Sequence, residues 1–107
     1  MKTPLEQLKA LADRNRLRVV ATLMNTDELC ACQISGVLGV SGATASRHME
    51  LLIRAGLVDS RKVGRWVYYK LSPAFPSPLF QWLDKSLSED PELKADRVKL
   101  LEITGCK

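Results

Sequence analysis

Two cysteines separated by one residue, in the string Glu28-Leu29-Cys30-Ala31-Cys32, are the residues of this chain best suited to chemistry. Thiolates are soft ligands and select soft ions and metalloids over the hard cations that carboxylates hold. Their spacing sets a condition. In a regular α-helix, residues i and i+2 point about 200° apart, so a pair lying within one helix shares an ion only if the local turn unwinds. A Cys-x-Cys is also compatible with two small, buried, apolar side chains, so its neighbourhood decides the reading.

The elements that follow supply that neighbourhood. Asn25, Thr26 and Asp27 end one helix and offer caps for the next, expected over roughly 28–38 with Ile34, Val37 and Leu38 on its core stripe. Gly39-Val40-Ser41 makes a tight turn, and Ser41 caps a helix running to about Ala55, with Gly56 at its C′ position. A short helix, a glycine-containing turn and a longer helix form a helix-turn-helix. The second helix keeps Ala45, Met49 and Leu52 for the core. Its start is small or polar (Gly42, Ala43, Thr44, Ser46, Arg47, His48), which allows close approach to base edges in a major groove.

The period then changes from helical to alternating. Residues 57–63 and 66–71 are rich in β-branched and aromatic types and flank Gly64-Arg65, which predicts a β-hairpin, here a basic wing. Upstream, Thr3-Pro4 opens a helix with Leu5, Leu8 and Ala12 on one stripe, and Asp13 caps a second carrying Leu17, Val20, Ala21 and Met24. Downstream, Leu79, Leu83 and Leu87, with Phe80 and Trp82 beside them, form an amphipathic stretch that Asp90-Pro91 interrupts before helix resumes from Leu93 to Ile103.

Charge follows the same division. Between Arg47 and Lys70 stand six basic and two acidic residues, so this segment holds the whole net charge of +4. A local basic excess fits a nucleic-acid face. From Asp84 onward six acids meet five bases, which suits a dimerisation surface better. The three cysteines do not make a disulfide framework; reduced thiols in a cytoplasmic protein are the expectation. The N-terminus lacks an apolar h-region, and no apolar run approaches the roughly 18 residues that span a bilayer. No acid/base constellation or cofactor loop points to an enzyme.

Taken in order, Glu28 to Cys32, Ser41 to Leu52, Ala55-Gly56-Leu57-Val58 and the wing from Arg61 to Pro73 resemble the ArsR/SmtB metalloregulatory repressors, more narrowly their arsenic-sensing branch. The resemblance covers roughly residues 5–88. It implies a mainly α winged helix-turn-helix with a β-hairpin wing, in the order α-α-α-α-β-β-α, forming one domain over 1–107. It implies a homodimer built on the N-terminal helix (about 4–12) and the C-terminal helical region (about 78–103), bound to a palindromic double-stranded operator. As(III) or Sb(III) on Cys30 and Cys32 would act as inducer, with release following from distortion of the third helix. A cadmium/lead-responsive or thiol-redox-responsive repressor of the same fold is the alternative.

The branch often carries a third cysteine three residues after the second, and here that position is Ser35. Either two thiolates suffice, with an exogenous thiol or hydroxide completing the set, or Cys106 reaches in as third ligand. Sites for zinc, nickel or cobalt on the last helix need histidine, and the one histidine is His48, on the recognition helix. The residues expected at DNA are Ser41, Thr44, Ser46, Arg47 and His48 from that helix and Lys62 and Arg65 from the wing. Thr44 and Arg47, one turn apart, are the expected base readers.

Overall fold

Local capping sets most of the helix boundaries in the computed structural model, which describes residues 4–103. Helix α1 (Pro4–Leu11) starts on its proline; the expected Thr3 cap lies outside the described residues. Helix α2 (Arg14–Met24) is capped by Asp13, whose Oδ1 accepts from the Arg16 backbone N–H at 3.1 Å. Residues Leu29–Cys30 form strand β1, so helix α3 runs Ala31–Leu38 and begins later than the expected start at Glu28.

Gly39 closes α3 at φ 70, a left-handed conformation that a side chain would strain. Ser41 Oγ accepts from the Thr44 backbone N–H at 3.2 Å and starts α4 (Gly42–Arg54). Strands β2 (Val58–Val63) and β3 (Trp66–Leu71) pair antiparallel, closing at Val63 and Trp66. Gly64 takes φ 61 at the first central position of that turn, the place glycine holds in a type II′ hairpin. Helix α5 (Ser77–Leu87) and helix α6 (Pro91–Glu102) complete the chain, the latter capped by Asp90.

The result is a mainly α winged helix-turn-helix whose sheet has three strands in the order β1-β3-β2. Strand β1 departs from the expected order of elements, whereas the break between the two C-terminal helices falls at Asp90-Pro91, where the sequence places it. The core joins α2, α3, α4 and the wing through Val20, Ile34, Met49, Leu52, Leu57 and Val58, all fully buried. Each such side chain contributes about 1.5–3 kcal/mol relative to exposure.

Helix α6 is tied to α2 and α3 by polar contacts. Asp96, buried, receives Arg18 Nε at 3.0 Å and Nη2 at 2.9 Å; the same Nη2 donates to the Val37 carbonyl at 3.0 Å. Lys99 Nζ donates to that carbonyl at 3.2 Å. Ile103 lies over Gly36 so closely that a Cβ there would meet its Cδ1 at 2.8 Å. In contrast, Leu5 and Leu8 of α1 and Trp82 of α5 stand exposed at 61%, 58% and 63%. The predicted stripe on α1 therefore faces outward, while Ala10 and Leu11 hold the helix to the core. No helix among the described residues is long and apolar enough to cross a membrane.

Candidate thiol site and nucleic-acid interface

Cys30 ends strand β1 and is the N-cap of α3, with φ −81 and ψ 160, while Cys32 is inside the first turn. The expected geometry of two residues within one helix therefore does not apply. Extended backbone at Cys30 swings its side chain round, and the two Sγ atoms stand 3.6 Å apart. Two sulfurs bound to one ion at about 2.3 Å, with angles from about 95° to tetrahedral, lie about 3.4–3.8 Å apart. The pair is thus spaced for one soft ion with α3 intact, and the expectation that binding must unwind the turn is corrected.

Gln33 Oε1 accepts from the Cys30 backbone N–H at 2.9 Å, as the fourth residue of a capping box does. Cys30 is buried and Cys32 half-buried. Ser35 follows on α3 and is half-buried; Cys106 lies outside the described residues. Among the described residues no group of three or more His, Cys, Asp or Glu is placed to hold a metal ion. The Cys32 sulfur is engaged in a disulfide, which corrects the expectation of reduced thiols at this position; the pair supplies two sulfur donors once that bond is reduced and leaves the rest of a coordination shell to other groups.

The strand that ends at Cys30 belongs to the wing sheet. Leu29 pairs with Tyr69 and Cys30 with Tyr68, while across β3 the partner of Tyr68 is Arg61. Cys30, Tyr68 and Arg61 thus form one transverse row, whose side chains share a face. The Arg61 guanidinium lies 4.8 Å from the Tyr68 ring centroid and grips Glu28 through Nε–Oε2 at 2.6 Å and Nη2–Oε1 at 2.7 Å. These hydrogen bonds hold the Glu28 carboxyl below its ordinary range and push Arg61 up. On the other face Tyr69 is buried, which raises its phenol.

The residues expected at DNA fall into two groups. Ser41, Thr44 and Arg47 are exposed on the first turns of α4, and Lys62 and Arg65 on the wing. The Arg65 guanidinium is 5.9 Å from the Trp66 ring centroid at the hairpin tip. Ser46 is exposed, and His48 is half-buried with Nδ1 3.2 Å from Arg16 Nη1. Arg16 also donates through Nε to the Ala10 carbonyl at 2.6 Å, fastening α1, α2 and α4 together.

Sequence reasoning passed over Glu28, Arg61, Arg16 and Tyr69 as partners. It also missed Gln33, although Cys30-x-x-Gln33 follows the capping-box spacing with sulfur in the hydroxyl position. The basic segment is less positive in effect than its count, since Arg61 is paired with Glu28 from outside it.

Comparison with known proteins adds four findings. The family model described as bacterial regulatory protein, arsR family, matches residues 13–60. The arsenical resistance operon repressor of Escherichia coli (strain K12) is 37% identical over 98 residues, 92% of this chain and 80% of that protein. The cadmium resistance transcriptional regulatory protein CadC of Listeria innocua is 48% identical over 61 residues, 57% of this chain and 51% of its own. Among solved structures, HlyU from Vibrio cholerae superposes with a TM-score of 0.71 at 30% identity, covering 79% of this chain and 91% of that one.

Proposed function

Because the chain belongs to the arsR family of bacterial regulatory proteins, which are transcription factors and not enzymes, we propose that it represses an arsenic-resistance operon and is released by As(III) or Sb(III). In this reading Cys30 and Cys32 of the reduced chain hold the metalloid. A homodimer presents two α4 helices to a palindromic operator. Ser41, Thr44 and Arg47 meet DNA from α4, and Lys62 and Arg65 from the wing, with Ser46 and His48 at the margin of that face. The outward Leu5, Leu8 and Trp82 support a dimer surface on α1 and the C-terminal region.

The observation that carries the reading is the 3.6 Å sulfur pair at the N-terminus of α3, the helix that buttresses α4. Thiophilic As(III) suits two sulfur donors and completes its shell with hydroxide or another thiol. A cadmium- or lead-responsive repressor is the second reading, favoured by the similarity to the cadmium resistance regulators.

The test is binding of the reduced protein to the DNA upstream of its own gene, titrated in turn with arsenite, antimonite, cadmium, lead and peroxide. Release by arsenite or antimonite at concentrations where cadmium, lead and peroxide do nothing is the expected result. Release by cadmium or lead alone selects the second reading, and release by peroxide alone selects a thiol-redox sensor. Loss of sequence-specific binding altogether overturns all of them.

In the same assay, Arg65→Ala is expected to weaken binding to all sequences alike and to reduce the slope of log K against log salt by about one. A loss confined to one base position would make Arg65 a reader instead.

A further inference from the structure

Arg61 sits in the most basic stretch of the chain, yet its Nε and Nη2 are both bonded to Glu28, two residues before Cys30. We propose that Glu28 and Arg61 form a latch that transmits occupancy of the Cys30–Cys32 site to the wing, making Arg61 a positioning residue and not a phosphate contact. The inference rests on the thiol-site reading above and adds the route by which that site would act on DNA.

Three observations on different strands meet in this latch. Cys30 is held at its backbone by the ladder to Tyr68, so any shift of its Cα is felt first in β3. Arg61 is the opposite neighbour of Tyr68 and covers its ring. Glu28 then closes the loop, because the carboxylate gripped by Arg61 is on the same chain segment as the sulfur. A bidentate guanidinium–carboxylate pair fixes orientation as well as distance, which a single lysine contact would not. The sulfurs are already spaced for an ion, but Cys30 is buried, so making room for that ion beside its Sγ shifts β1 relative to β3, and the latch carries that displacement into β2, the strand that bears Lys62 and leads to Arg65. Tyr69 of the same strand is buried in one core cluster with Ala45, Met49 and Leu52 of α4, which ties the wing to the recognition helix. Because α3 need not unwind, this sheet route replaces helix distortion as the output path.

The experiment uses the full-length reduced protein and compares wild type, Glu28→Ala, Arg61→Ala, the double alanine variant and the exchanged pair Glu28→Arg/Arg61→Glu. Arsenite binding is read by sulfur–arsenic ultraviolet absorption, operator affinity is measured with and without arsenite, and far-UV circular dichroism checks the fold.

The latch requires that both single variants bind arsenite like wild type but release the operator at least tenfold less. It also requires that the double variant lose no more than either single, and that the exchanged pair recover release. The salt slope of ligand-free binding should be unchanged in Arg61→Ala. A slope reduced by about one would make Arg61 a phosphate contact and overturn the proposal. So would single variants that release as well as wild type while wild type responds strongly. If wild type itself binds arsenite and keeps its operator, the sensing reading has failed and the latch falls with it; that outcome differs visibly from failure of the latch alone.

Discussion

Asp96→Ala is expected to lower the free energy of unfolding by about 3–5 kcal/mol, the usual loss when one member of a buried ion pair is removed and the other stays. The side chains of Arg18 and Asp96 are 13% and 4% exposed, so water does not replace the carboxylate. Arg18 would keep only the Val37 carbonyl, Asn15 Oδ1 at 2.9 Å and a distant Glu92 oxygen at 3.9 Å. Those contacts place the loss toward the lower end of the range. Against a total of about 5–15 kcal/mol for a domain of this kind, it is a large fraction.

The consequence is local as well as global. Arg18 and Lys99 both donate to Val37, so without Asp96 the last turn of α3 and its crossing under α6 loosen first. Urea unfolding at fixed protein concentration measures the loss, and hydrogen exchange at α3 measures its location. Replacing both partners with apolar residues of similar volume, Arg18→Met with Asp96→Leu, is expected to recover most of the stability, since the cost lies in the orphaned charge. A loss below about 1 kcal/mol in Asp96→Ala would place this pair among ordinary surface bridges.

What could be read in the sequence was what neighbours in the chain decide. Ser41, Asp13 and Asp90 cap within three residues of themselves, and Gly56 and Gly64 take positive φ where a helix stop and a hairpin turn need it. The alternation of 58–63 and 66–71 gave the wing for the same reason. Strand β1 was illegible because two residues carry no period, and what makes Leu29–Cys30 a strand is a partner in the distant wing. That single element changed the thiol site. With Cys30 at the N-cap the sulfurs converge, whereas the same spacing inside a helix would have parted them. The pairs that organise the site are equally remote: Glu28 and Arg61 are 33 residues apart, and Arg18 and Asp96 are 78. A charge count over a contiguous segment takes Arg61 as an unpaired cation, whereas its partner sits outside that segment.

Cys30→Ser and Cys32→Ser are each expected to abolish operator release by arsenite while leaving ligand-free operator binding within about twofold of wild type. An ordinary allosteric coupling of about 1–3 kcal/mol corresponds to release by about 5–150-fold, and complete switching needs about 10⁴-fold. Either variant should bring that factor to one. The fold should survive. Serine is a preferred N-cap residue, so Cys30→Ser keeps the cap of α3 and the Gln33 contact to its backbone N–H.

Oxygen in place of sulfur removes the soft donor, and a hydroxyl does not ionise at neutral pH to replace it. Cys32→Ser, half-buried in the first turn, loses one donor of two and should bind arsenite too weakly to hold it. Parallel readings of operator affinity, arsenite absorption and circular dichroism separate loss of ligand from loss of fold. If either serine variant releases its operator as wild type does, the 3.6 Å pair is not the sensor. The two sulfurs would then be packing groups at the root of the wing, and the inducer would have to act elsewhere on the chain.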